Sequence, residues 1–164
     1  MLYNFNADEV FKMAILIEEN GKLFYEKAQD RFDDPEVIKT FKSLALAETQ
    51  HIEYFMALKN RLPVSAKEAT VWDPDNEINK YLNMMAGMHV FRSDEDLERL
   101  LSGIKSVEDA LKLAIQFEGQ SIVFFLTMKD NTEETQGRDM IDRLIKEELN
   151  HHKTLSLQLN RLEK

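Results

Sequence analysis

Two short motifs with one spacing, Glu48-x-x-His51 and Glu148-x-x-His151, constrain this sequence more than any other feature. In an α-helix, residues three positions apart lie on the same face, so each motif directs a carboxylate and an imidazole toward one point. Such a pair is typical of metal ligands. One pair in a glutamate-rich sequence is weak evidence, but two pairs 100 residues apart are harder to attribute to chance.

The spacing of 100 residues extends well beyond the two motifs. Residues 10–62 align without a gap to residues 110–162, with 12 identities in 53 positions. The identities include both motifs and a further pair of glutamates, Glu18 and Glu118. The sequence therefore predicts two copies of one helical hairpin.

Length and composition exclude several classes of protein. The 164 residues suit a single domain, residues 1–164, with a substantial core. The absence of cysteine excludes disulfides, zinc–thiolate sites and iron–sulfur clusters within these residues. The net charge of −9 argues against nucleic acid as a partner. Because we find neither a signal peptide nor a long apolar run, we expect no membrane association and a cytoplasmic location.

Apolar periodicity and capping residues predict an all-α chain. The first hairpin, 7–62, has one helix over about 7–31 and a second that begins after Asp34-Pro35 and ends before Pro63. The connection, 63–106, is predicted to contain two short helices, one from Asn76 onward and one ending at Gly103.

The second hairpin, 107–162, begins at a predicted capping box formed by Ser106 and Asp109. Its last helix is predicted to follow residues 131–134 and to run to the end of the chain. The 44-residue connection is long enough to pass from one end of a bundle to the other. We therefore predict a four-helix bundle with a single crossover.

Equal distances from the hairpin turns place the four glutamates at one level. Glu18 and Glu48 each lie 15 residues from a turn near Asp33, roughly 22 Å along the helix axis. Glu118 and Glu148 flank the second turn in the same way. Each of the four interrupts an apolar stripe, so they should point inward, where unpaired carboxylates cost several kcal/mol each.

Bound cations would offset that cost. One glutamate from each of two helices, together with Glu-x-x-His from the other two, is the ligand set of dinuclear carboxylate bundles. Mixed carboxylate and imidazole ligands suit iron or manganese, and the donors alone do not exclude zinc. The predicted metal ligands are Glu18, Glu48, His51, Glu118, Glu148 and His151.

Four strings carry a family resemblance: AILIEENGKLFYEKA, LALAETQHIEYF, AIQFEGQSIVFF and LIKEELNHHKTL. They resemble the bundle helices of rubrerythrin-like diiron-carboxylate proteins of the ferritin superfamily. The resemblance implies a ferritin-like fold and two iron ions, with manganese or a mixed pair as alternatives. It implies bridging roles for Glu48 and Glu148, terminal roles for Glu18 and Glu118, and one metal for each of His51 and His151. It also matches Tyr25 to a tyrosine that hydrogen-bonds near the site.

The sequence departs from rubrerythrins proper in two respects. Ser121 stands where they carry a second carboxylate one turn after the third-helix ligand, which puts their carboxylate–histidine ligand exchange in doubt. The cysteine-rich rubredoxin domain of those proteins is absent from these residues. The resemblance therefore implies an external electron donor, such as a rubredoxin-type or flavin protein. We also expect a homodimer.

Three functions agree with these residues. The first is a redox-active diiron protein that reduces hydrogen peroxide or dioxygen, with a role in oxidative stress. The second is a non-catalytic iron-binding or iron-storage protein of the ferroxidase type, and the third is a bundle whose metal centre is only structural. We expect His152 to be exposed or to lie outside the ligand set, and His89 to be structural. The flanking acids are expected to be solvated: Glu19, Glu53 and Glu147.

Overall fold

The computed structural model describes residues 7–64, 94–130, 132 and 137–163. Within these ranges the chain is helical and contains no strand, which confirms the predicted all-α class. No helix in these ranges has an apolar stretch long enough to cross a membrane. The predicted short helix from Asn76 onward, and His89, lie outside the described residues. The described helices are α1 (Ala7–Gln29), α2 (Pro35–Asn60), α3 (Asp94–Gly103), α4 (Val107–Asp130) and α5 (Arg138–Leu162).

Local capping interactions fix two of the helix starts. The Asp34 side chain accepts hydrogen bonds from the backbone N–H groups of Glu36 and Val37, and Pro35 occupies the first position of α2. At α4, the Asp109 N–H donates to Ser106 Oγ, and the Ser106 N–H donates to Asp109 Oδ2. This reciprocal pair is the predicted capping box, with Asp in place of Glu.

The four long helices form a bundle of two hairpins, α1 with α2 and α4 with α5. Helices α2 and α5 also contact one another and run antiparallel, since the end of α2 meets the start of α5 at Leu58 and Gly137. Gly137 has a φ of +101°, a conformation that favours glycine. At the other end, Gln158 Nε2 donates to Thr40 Oγ1. The two hairpin turns therefore lie at opposite ends of the bundle.

The position of α3 agrees with the predicted crossover. Lys27, near the end of α1, pairs with Glu98 of α3, and the Arg31 guanidinium donates to the backbone carbonyl of Leu101. Leu97 and Leu101 are buried. Because α2 ends at one end of the bundle and α4 begins at the other, the connection between them must span the length of the bundle. This path explains why the connection is so much longer than either hairpin turn.

Two groups of aromatic side chains pack inside the bundle. In one, Tyr25 contacts Phe24, Phe41 and Phe117. In the other, the ring of Phe55 packs against those of Phe11 and Phe125, and Phe124 contacts Phe125. All eight rings are fully buried, and each group draws on both hairpins. They supply much of the apolar area that holds the hairpins together.

Gly21 makes close packing with Phe117 possible. A Cβ atom at Gly21 would lie 2.3 Å from Phe117 Cζ, whereas a Cβ at Gly119, also inside a helix, would have His152 Cδ2 as its nearest neighbour at 3.9 Å. Phe117 is buried between the helices and has little room to withdraw.

We therefore expect Gly21→Ala to lower the free energy of unfolding by about 1–2 kcal/mol, because the overpacking cost exceeds the gain in helix propensity. The matched Gly119→Ala substitution should raise it by up to about 1 kcal/mol. Urea unfolding of the metal-free protein measures both. Equal stabilisation by the two substitutions would contradict the packing shown here.

Candidate metal centre

The bundle brings all six predicted ligands together at its centre. Helix α1 supplies Glu18, α4 supplies Glu118, and α2 and α5 each supply one Glu-x-x-His pair. The four glutamates and His51 are fully buried, and His151 is 15% exposed. The predicted inward phase of the four glutamates is therefore what the structure shows.

The six side chains form two groups of four potential ligands. In each group one ligand atom per residue can be chosen so that all lie within 4.8 Å of one another. Both groups contain Glu48 and Glu148, so these carboxylates lie between two adjacent sites. The groups are Glu18, Glu48, His51 and Glu148, and Glu48, Glu118, Glu148 and His151.

The surroundings of His51 Nδ1 test whether this cluster fits a metal. Three carboxylate oxygens surround that one nitrogen: Glu18 Oε2 at 3.3 Å, Glu48 Oε2 at 3.2 Å and Glu148 Oε1 at 2.8 Å. The nitrogen carries at most one proton, which cannot satisfy three acceptors. A cation placed among these atoms could bind them all.

Further carboxylate oxygens are buried without a donor. When the glutamates are ionised, no N–H or O–H group of the described residues donates to Glu18 Oε1, Glu48 Oε1 or Glu118 Oε2. Buried acceptors without partners are rare and costly in folded proteins. Oxygen and imidazole nitrogen are also the donors that first-row metals such as iron and manganese bind. The residues present therefore fit a dinuclear metal site.

Burial and mutual repulsion favour the protonated form of most of the carboxyls when no cation is present. Burial, reinforced by the charge of Glu148, raises the pKa of Glu18. The same two causes raise the pKa of Glu118 well above its ordinary value. Burial and the charges of Glu18 and Glu148 raise the pKa of Glu48 well above its ordinary value of 4.5.

Glu148 and the two histidines are stabilised in their charged forms. Burial alone would raise the pKa of Glu148, but hydrogen bonds from His151 and His51 outweigh it and lower that pKa. Burial would lower the pKa of His151, yet the neighbouring carboxylates of Glu118 and Glu148 raise it to about 10. The pKa of His51 is raised in the same way, chiefly by Glu148 and Glu18.

Glu147 is a functional candidate that the sequence reasoning missed. It was expected to be solvated, and its side chain is indeed 48% exposed, but Glu147 Oε2 lies 3.0 Å from His51 Nε2. A carboxylate that accepts from the outer nitrogen of a histidine fixes the ring and its tautomer, which leaves Nδ1 free to bind a metal. Glu147 reaches His51 from the other hairpin, so helical phase within α5 gives no sign of this contact.

Tyr25 is buried, and its hydroxyl donates a hydrogen bond to Glu118 Oε1. Burial and the negative charge of Glu118 raise the pKa of Tyr25 well above its ordinary value, so the hydroxyl keeps its proton. The structure thus places Tyr25 beside the centre, as the sequence comparison implied.

Four other residues considered in the sequence analysis belong to neither group of potential ligands. Ser121 is buried one turn after Glu118 and offers a hydroxyl in place of a carboxylate. His152 is half-buried and belongs to neither group of ligands. Glu19 and Glu53 are exposed, as predicted.

Comparison with known proteins agrees with this geometry. The model of the rubrerythrin family matches residues 9–159. Among solved structures, the chain is similar to a ferritin-like diiron-carboxylate protein from Thermotoga maritima, with 22% identity, a TM-score of 0.70 and 99% of each chain covered. At that identity the likeness shows the fold alone. A search of curated proteins gave no significant match.

The pKa shifts predict an unusual pH dependence for the metal-free protein. A group whose folded pKa is raised stabilises the fold below its unfolded pKa and loses that contribution as pH rises. The pKa is raised in this way for five groups: Glu18, Glu48, Glu118, His51 and His151. The lowered pKa of Glu148 changes stability only below the ordinary value of 4.5. The free energy of unfolding should therefore fall between about pH 6 and pH 9.

Urea unfolding in the presence of a chelator measures this slope. In Glu48→Gln the slope should be shallower, since one titrating group is gone, whereas Glu53→Gln on the exposed face should leave it unchanged. A wild-type stability that is flat or rises over this range would contradict the buried cluster.

Proposed function

This chain belongs to the rubrerythrin family, and on that premise we propose that its central cluster binds two iron ions and reduces hydrogen peroxide or dioxygen with electrons from an external donor. The observation that supports this most directly is the pair of four-ligand groups that share Glu48 and Glu148. Four ionised glutamates carry four negative charges, which two divalent cations would cancel. Glu48 and Glu148 would bridge the ions, while Glu18 with His51 and Glu118 with His151 would each complete one site.

Bound iron would supply the two electrons that, with two protons, reduce one molecule of hydrogen peroxide to two of water. The chain's own residues prepare the site for this. The four glutamates and His51 are fully buried, so bulk water is excluded from most of the cluster. The Tyr25 hydroxyl holds its proton at Glu118 Oε1 and so restrains that carboxylate, as Glu147 restrains the His51 ring.

Ser121 and the absence of cysteine limit the ligand exchange and the electron supply of the proposed centre. Ser121 provides no carboxylate one turn after Glu118, so His51 has no competing carboxylate ligand at that position. We therefore propose that His51 would hold its ion without a carboxylate at residue 121 that could replace the imidazole. These 164 residues contain no cysteine, so electrons would arrive from a separate donor, for which a rubredoxin-type or flavin protein is suitable. The homodimer and the cytoplasmic location stay predictions.

The division into bridging and terminal ligands predicts different metal stoichiometries. Glu48→Gln should weaken binding at both sites, whereas Glu118→Gln should leave about one ion per chain, because Glu118 belongs to one group only. Elemental analysis after reconstitution with ferrous iron and desalting, all under anaerobic conditions, measures this difference. Equal losses in the two variants would contradict the assignment of Glu48 as a bridge.

Anaerobic titration of the reduced, iron-loaded protein with hydrogen peroxide tests the activity. We expect the ultraviolet absorbance of oxidised iron to rise and to level off at one peroxide per two iron ions. Uptake of many iron ions per chain in air would indicate storage instead. A metal that raises the melting temperature, but whose spectrum peroxide leaves unchanged, would indicate a structural role.

A further inference from the structure

The internal repeat allows the two halves of the centre to be compared residue by residue. One half is built around Glu18 and His51, and the other around Glu118 and His151, each 100 positions later. The ligands themselves are identical in type. Differences between the halves must therefore come from the residues around the ligands.

The first difference concerns the outer nitrogen of each histidine. His51 Nε2 lies 3.0 Å from the carboxylate of Glu147. The repeat places Ala47 at the position that corresponds to Glu147, and alanine has no side-chain acceptor for His151 Nε2. Among the described residues, it is therefore the His51 ring that a carboxylate from the opposite hairpin orients and makes more basic.

The second difference concerns the terminal carboxylates. The Tyr25 hydroxyl donates to Glu118 Oε1, so one oxygen of Glu118 is already engaged. The repeat places Phe125 at the position that corresponds to Tyr25, and Glu18 Oε1 accepts no hydrogen bond from the described residues. Glu18 Oε2 lies 3.3 Å from His51 Nδ1, a nitrogen that would itself bind the cation. With a cation bound, both oxygens of Glu18 could therefore serve as ligands, whereas Glu118 Oε1 would still accept from Tyr25.

The third difference is exposure to solvent. His51 and Glu18 are completely enclosed, whereas the His151 side chain is 15% exposed. A ligand with access to water can exchange a cation more readily than one that is enclosed. All three differences act in the same direction.

From these differences, we propose that the two halves bind divalent cations unequally. The half built on Glu18 and His51 binds the first ion tightly, and the half built on Glu118 and His151 binds the second ion more weakly and exchanges it with solvent. Glu147 is a positioning residue for the first half, because it acts through His51. This inference depends on the proposed dinuclear centre and adds to it an order of loading.

Manganese titration of the chelator-treated protein tests the order, with the electron paramagnetic resonance signal of free manganese as the readout. We expect two classes of site whose dissociation constants differ by about tenfold or more. Glu147→Gln should weaken the tighter class by about tenfold to a hundredfold and leave the weaker class unchanged. Glu147 is half exposed, so this variant should fold normally, which circular dichroism can check.

Two further variants make the assignment specific. Glu19→Gln removes the same charge from an exposed position next to Glu18 and should change neither class. Glu118→Gln should abolish the weaker class and keep the tighter one. A Glu147→Gln protein that behaves like Glu19→Gln, or that loses the weaker class, would overturn the inference.

The titration also separates this inference from the proposed function. If the wild-type protein binds no manganese, the dinuclear centre itself is contradicted, and the inference falls with it. If it binds two ions with equal affinity, the dinuclear centre stands and only the unequal loading is overturned.

Discussion

The enclosure of four carboxylates at the centre of an apolar bundle is the constraint on which the rest of this structure depends. Each would cost several kcal/mol if it were charged and unpaired. In the metal-free protein, burial favours protonated Glu18, Glu48 and Glu118 by raising their pKa values, and the raised pKa values of the two histidines favour the charged rings that stabilise Glu148. The aromatic groups must supply enough apolar burial to hold this cluster closed. Cations that replace the protons would contribute directly to folding, because the ligand set does not exist in the unfolded chain.

The repeat explains how one chain assembles such a cluster. Two copies of a hairpin place their glutamates at equal distances from the turns, and packing the hairpins with turns at opposite ends brings all four to the middle. That arrangement leaves the end of α2 and the start of α4 at opposite ends of the bundle. The connection must therefore span its length, and α3 lies against α1 near the end of this path. The ligand geometry and the crossover are consequences of the same packing.

Much of this could be predicted from the sequence because it follows from local rules. Helical phase and the repeat identified six candidate ligands that the structure brings together, and capping chemistry located the starts of α2 and α4. The contacts that were missed depend on how one hairpin meets the other. Glu147 lies at the edge of the inward stripe of α5, and only the position of α2 decides that it reaches His51. The fit of Phe117 against Gly21 is likewise a contact between helices of different hairpins.

The differences between the two halves have a consequence for access to the centre. The ligand types match across the repeat, so the chemical preference for a class of metal should be the same in both halves. Residues outside the ligand set then decide how enclosed each half is. His51 is covered by Glu147, while the edge of His151 reaches solvent. A small oxidant or an entering ion would therefore meet the His151 half first, while the more enclosed half would keep its ion. An internally repeated bundle can in this way combine a stable metal position with an exchangeable one by changing residues that bind no metal.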